Sequence, residues 1–172
     1  ALEDYNKAVL LGLITPNLYS KRGRIKYLLK DYKGAITDLN VVIKLDPTNA
    51  RAFYLRGLSK AFLGDDRGAI LDYNNLIELE PNSPSAYKER GSSKLGSGDY
   101  SGSIADLDKA IDLDPNSSAS YVLRGLSKIQ MGQKENGCKD IEKAERLLQN
   151  NPIKSEKINK GLSIIRNGNL CD

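Results

Sequence analysis

Laid on itself at an offset of 34 residues, the sequence comes into register four times without a gap, over 16–49, 50–83, 84–117 and 118–151. A period of this length constrains the fold more than any other feature. A unit of roughly 20–50 residues is one supersecondary element that cannot bury its apolar face alone and must stack on its neighbours. Each block has an aromatic residue at its fourth place (Tyr19, Phe53, Tyr87, Tyr121) and Arg-Gly at its seventh and eighth (Arg22-Gly23, Arg56-Gly57, Arg90-Gly91, Arg124-Gly125). Lysine recurs at place 11 (Lys26, Lys60, Lys94, Lys128) and aspartate at place 23 (Asp38, Asp72, Asp106, Asp140). Three blocks end in an acidic residue followed by proline, as in Asp46-Pro47, Glu80-Pro81 and Asp114-Pro115.

Within a block the apolar spacing is helical. Tyr19, Arg22, Gly23 and Lys26 follow i, i+3, i+4, i+7, and Ala35, Ile36, Leu39, Val42 and Ile43 form a second amphipathic run ending at Leu45. Lys30-Asp31-Tyr32 interrupts the two, where later blocks place Gly64-Asp65, Gly98-Asp99 and Gly132-Gln133. Glycine there accepts the positive φ of a helix end, and the proline near the block's end stops the second helix because it cannot donate to the hydrogen-bond ladder. Each block is therefore read as helix, tight turn, helix.

The 34-residue unit with glycine at place 8, a small residue at place 20 (Ala35, Ala69, Ser103, Gly137) and proline at place 32 resembles the tetratricopeptide repeat; the fourth block has Gln149 instead of that proline. The resemblance implies an all-α fold, a right-handed superhelical α-solenoid of helix-turn-helix repeats. Residues 1–15 fit the same frame as the second helix of a truncated repeat, with Ala1, Asp4, Tyr5 and Ala8 at places 20, 23, 24 and 27. The sequence starts at Ala1, inside a repeat, so the natural chain is expected to continue upstream. Residues 152–172 depart from the pattern and read as a capping helix, from Pro152 to about Arg166, and a tail.

Arginine at place 7, lysine at 11 and aspartate at 23 depart from the family's usual apolar or aromatic choices. Residues four apart share a helix face, so Arg22 and Lys26, Arg56 and Lys60, Arg90 and Lys94, and Arg124 and Lys128 each form a cationic pair, on a face that the resemblance implies meets second helices. Repetition in every copy favours a structural ion ladder with Asp38, Asp72, Asp106 and Asp140 over an anion-binding stripe. Each aspartate is expected to serve its own block or the next, and Asp4 fits pairing with Arg22 across blocks.

The resemblance places partner binding on the concave face, at places 2, 5, 9, 12 and 13 of each first helix. The residues singled out there are Arg24, Tyr27, Arg51, Tyr54, Leu58, Phe62, Lys88, Ser92, Val122 and Leu126. They suggest a groove with a basic-aromatic first half and a more apolar second half, suited to a peptide carrying acidic and apolar residues. Arginine and tyrosine are common interface anchors. The family's clamp for a chaperone's terminal carboxylate is missing, since its places hold Ser20, Arg24, Leu55, Ser85 and Glu89. The expected function is a non-catalytic protein-protein interaction scaffold needing no cofactor and no metal. A groove binding single-stranded nucleic acid or another polyanion is the alternative, prompted by the net charge of +4. It is weakened because eight of the 26 basic residues belong to the ladder and no basic run exceeds two.

The 172 residues contain no histidine, which removes histidine-based acid/base chemistry and the usual zinc sets. No apolar run reaches the roughly 18 residues of a membrane span. Cys138 stands where other blocks have Ile36, Ile70 and Ile104, and by itself reads as a small core residue. A capping helix returning antiparallel would bring Cys171 within reach of a disulfide. Free thiols would suit the cytoplasm, a bridge an oxidising, extracytoplasmic compartment. Without its own first helix, the 1–15 helix is expected to leave Leu2, Tyr5 and Val9 uncovered, a face for self-association.

Overall fold

The computed structural model describes residues 2–149 and 171, and among them the regular elements are all helices. In chain order these are α1 (Leu2–Leu10), α2 (Pro16–Leu28), α3 (Tyr32–Leu45), α4 (Ala50–Phe62), α5 (Asp66–Leu79), α6 (Pro84–Gly96), α7 (Tyr100–Leu113), α8 (Ser118–Gln130) and α9 (Lys134–Gln149). They divide between two compact units, Ala1–Pro81 and Asn82–Asp172. The expected capping helix lies outside the described residues.

Short local signals set the helix ends. Thr15 and Asn49 cap α2 and α4 by accepting from the backbone N–H of Leu18 at 3.2 Å and Ala52 at 3.1 Å. Pro16 and Pro84 occupy first-turn positions that have no N–H to lose. Asp31, Asp65 and Asp99 cap α3, α5 and α7 through the N–H groups of Gly34, Gly68 and Gly102, each at 2.9 Å. First helices close with paired backward bonds, such as Gly64 N–H to the Ala61 carbonyl and Asp65 N–H to that of Lys60, both 3.0 Å. This closure requires a left-handed residue at the turn. Gly64, Gly98 and Gly132 supply it at φ 80°, 86° and 78°, whereas Lys30 is forced to 63°.

Helix α1 ends differently from its counterparts. The second helices α3, α5 and α7 stop at an acidic residue before proline, but α1 stops at Gly12, φ 80°. The Leu13 N–H reaches the Ala8 carbonyl at 3.1 Å and the Gly12 N–H that of Val9 at 3.0 Å. The face expected to lie bare is half-buried at Leu2, Tyr5 and Val9, with Val9 packed on the core. Exposure falls instead on Leu10, Leu11, Leu13 and Ile14.

In the first unit, α2 packs on α3 and α4 on α5, with α3 also against α4. Tyr19, Ala35, Leu39, Val42, Ala52 and Leu55 form its buried cluster. In the second unit α6 packs on α7, α7 on α8 and α8 on α9, and Ile141 and Leu148 are covered by Val122, Leu126 and Ile129. Glycine at place 8 is required by this closeness. A Cβ on Gly57 would stand 2.6 Å from Cε1 of Tyr73, and one on Gly125 2.7 Å from the Gly137 carbonyl oxygen. Ala35, Ala69 and Ser103 at place 20 are wholly buried on the facing helices.

The strained turn at Lys30 yields a stability prediction. A side chain in the left-handed region costs about 1–2 kcal/mol, partly offset by the entropy glycine loses on folding. Lys30→Gly should therefore raise the unfolding free energy by about 0.5–1 kcal/mol, measured by urea denaturation; a lower midpoint would refute it.

Candidate functional site

Two cations on each first helix converge on one carboxylate of the second. Arg22 donates to Asp38 from Nε at 2.8 Å and from Nη2 at 2.6 Å, and Lys26 Nζ lies 3.0 Å from the same group. Arg56 and Lys60 hold Asp72 at 2.6 and 2.8 Å, and Arg90 and Lys94 hold Asp106 at the same distances. Arg124 and Lys128 hold Asp140, the lysine at 2.7 Å. Burial removes these carboxylates from water: Asp38 is 0 % and Asp72 1 % exposed. A buried charge is tolerable only when paired and hydrogen-bonded, which the fork of an arginine and a second cation achieve. Each arginine also lies over the aromatic ring three residues earlier, at 5.1 Å for Tyr19 and between 5.4 and 5.6 Å for Phe53, Tyr87 and Tyr121.

The aspartates serve their own blocks, and the link to the preceding block comes from the other arm of the arginine. Arg56 Nη1 donates to Asn40 Oδ1 at 2.7 Å, Arg124 Nη1 to Asp108 Oδ1 at 2.6 Å, and Arg22 Nη1 to Asn6 Oδ1 at a long 3.4 Å. Asn6, Asn40, Asn74 and Asp108 recur at the 34-residue interval, so the signal was present in the sequence. It is quiet because asparagine on a helix exterior normally needs no partner. Hydrogen bonding to Asp38 raises the pKa of Arg22 above the ordinary arginine value. Burial works against the Arg124 charge, but its bonds to Asp140 and Asp108 outweigh that and raise its pKa further.

The proposed groove residues fall into contrasting environments. In the first unit Arg24 and Arg51 are exposed, while Tyr27, Tyr54 and Leu58 are half-buried. Tyr27 and Phe62 come together, ring centroids 6.0 Å apart, and a residue that the spacing did not single out joins them. Tyr32 stacks on Phe62 at 4.9 Å with the rings 4° from parallel, and lies 5.8 Å from Tyr27. Beside this cluster in the chain Phe62, Leu28 and Leu29 are each more than 60 % exposed. In the second unit Lys88 pairs with Glu89 at 3.0 Å, and Ser92 is half-buried. Val122 and Leu126 are half-buried too, packed with Ile129 against Ile141 and Leu148. A polar cleft of about 230 Å³ opens between the starts of α6 and α8, lined by Ser85, Lys88, Ser117 and Ser118 among others.

Cys138 and Cys171 are joined as a disulfide, Cα atoms 5.6 Å apart. Among the described residues no three His, Cys, Asp or Glu side chains are grouped to hold a metal ion, and no helix is long and apolar enough to cross a membrane.

Two stability outcomes follow. Asp72→Ala, which strands Arg56 and Lys60, should cost about 3–5 kcal/mol, whereas Asp108→Ala, at a carboxylate 51 % exposed, should cost no more than about 1 kcal/mol. Equal losses in urea denaturation would contradict the difference in burial. Thiol titration of the unreduced, unfolded chain should find no free thiol, and Cys171→Ser should lower stability by about 2–4 kcal/mol; two titratable thiols would exclude the bridge.

Family models described as TPR repeat match residues 23–61, and models described as tetratricopeptide repeat match 51–83, 84–117 and 118–151. No curated protein matches the chain by sequence. Among solved structures, a crystal structure of MamA superposes with a TM-score of 0.82 at 22% identity, covering 87% of each chain. MamA from Desulfovibrio magneticus RS-1, residue 41 to its end, gives 0.82 at 21% identity over 87% of this chain and 85% of that one. YrrB, described as a TPR protein with an unusual peptide-binding site, gives 0.78 at 19% identity over 87% and 77%.

Proposed function

Because the chain belongs to the tetratricopeptide repeat family, we propose that it is a protein-interaction scaffold without chemistry of its own, holding a peptide on the first-helix face of its first unit. The observation that carries this reading is the aromatic cluster of Tyr27, Tyr32 and Phe62, with Phe62 61 % exposed beside Leu28 and Leu29. An exposed ring already fixed by stacking, as Phe62 is on Tyr32, loses little entropy on binding, which makes it a good anchor. Arg24 and Arg51, exposed on α2 and α4, offer guanidinium forks to carboxylates of the same ligand. Tyr54 and Leu58 contribute the part of their surface not used by the core. The second unit, taken by itself, offers polar contacts at Lys88 and Ser92 and the exposed part of Val122 and Leu126.

The peptide suited to this surface carries acidic residues next to leucine, phenylalanine or proline. YrrB, similar in fold, is described as having a peptide-binding site, which supports the class of ligand without locating it here. A polynucleotide has less support, since all eight cations at places 7 and 11 are committed to buried aspartates.

Selection of a random peptide library on the immobilised chain tests the reading. Acidic and apolar residues should be enriched together, and Arg24→Ala/Arg51→Ala/Phe62→Ala should weaken the selected peptides by about 2 kcal/mol or more. Unchanged affinity in the triple variant would sink the assignment. Tighter binding to oligonucleotides than to any peptide, with affinity falling steeply as salt rises, would replace it.

A further inference from the structure

The four repeats serve as internal controls for the turn that joins α1 to α2. At place 29 the other turns carry Lys44, Glu78 and Asp112, and at place 33 Thr48, Asn82 and Asn116. In the first turn those places hold Leu10 and Ile14, and Leu13 replaces the proline of place 32. Leu10, Leu11, Leu13 and Ile14 are 84 %, 82 %, 53 % and 62 % exposed. Four large apolar side chains within five residues, two of them at places where the other turns carry a charged or a polar residue, are not the scattered single exposures normal on a surface. Their display is held by the backbone, through the Leu13 to Ala8 and Gly12 to Val9 bonds.

The surroundings indicate what covers this tip. From Tyr5 to Lys30 the sequence has no acidic residue and six basic ones. Arg22 and Lys26 are engaged with Asp38, but Lys7, Lys21 and Arg24 are exposed and pair with no carboxylate among the described residues. Glu3 and Asp4 lie at the opposite end of α1 from the tip. A lipid interface deforms around an exposed apolar turn. Apolar insertion combined with cations is also the pair of signals that gives peripheral attachment to an anionic bilayer. We propose that Leu10, Leu11, Leu13 and Ile14 insert into the surface of a membrane rich in anionic lipid, with Lys7 and Lys21 at its headgroups.

The test is co-sedimentation of the full chain with phosphatidylcholine vesicles, with and without phosphatidylglycerol. The chain should partition onto the anionic vesicles, less so at high salt. Leu10→Lys/Leu13→Ser/Ile14→Thr, which keeps the leucine shared by the turns and the Gly12 closure, should reduce the partition coefficient by about a hundredfold. Lys7→Glu/Lys21→Glu should abolish the preference for anionic lipid, and circular dichroism reports whether each variant is folded. Leu71→Ser, at a single exposed leucine on α5, should bind as the parent does. A parent chain that stays in solution with both vesicle types overturns the proposal, as does a turn variant that binds unchanged. A chain that ignores vesicles but sediments as a dimer, with the turn variant monomeric, assigns the tip to a second copy instead.

Discussion

Each repeat is organised by a carboxylate that has nowhere to go but two cations. Asp38, Asp72, Asp106 and Asp140 stand at the contact between first and second helices, where an unpaired charge would be prohibitively costly. The arginine answers with both sides of its fork. One side grips the aspartate while the opposite nitrogen of Arg22, Arg56 and Arg124 takes a polar oxygen of the preceding block. A single side chain thereby sets the spacing within a repeat and the register to the next. The guanidinium plane, resting on the ring three residues back, has few other orientations available. A lysine in its place would hold the aspartate but lose the bridge.

This arrangement depends on backbones that approach closely. Gly57 against Tyr73 and Gly125 against Gly137 leave no room for a methyl group, and the small residues at place 20 complete the contact. Without that approach the ion clusters would be hydrated and weak, since exposed pairs contribute little. Tight packing and buried charge are therefore one device, and it commits eight of the basic residues to the interior. The chemistry left for partners is what the device does not use: Arg24 on α2, Arg51 on α4, the aromatic cluster of Tyr27, Tyr32 and Phe62, and the apolar turn before α2 with Lys7 and Lys21.

Much of the fold was legible because its signals are local. Gly64, Gly98, Pro47 and Pro81 act on backbone groups within one helical turn, so their effect does not wait for the rest of the chain. The convergence of places 7, 11 and 23 was legible as well, since helical spacing puts Arg22 and Lys26 on one face. The site was read less completely. Tyr32 sits at the start of a second helix, outside any first-helix pattern, and joins Tyr27 and Phe62 only through the turn between α2 and α3 and the lateral packing of α4. Val122 and Leu126 have the spacing of a groove-lining pair, and part of their surface is also taken up by packing against Ile141 and Leu148 of α9.

The sequence by itself determined the period, the helix ends and the residue types that repeat, because those follow from caps, spacing and steric limits acting over a few residues. Only the tertiary structure decided which oxygen the second arm of Arg22, Arg56 and Arg124 meets, which aromatic rings stack, and that the bare apolar surface lies at Leu10–Ile14 and not at Leu2, Tyr5 and Val9. Those outcomes are distances between helices. They depend on how closely two backbones can approach, and that closeness is a property of the assembled pair of helices that neither strand of sequence carries alone.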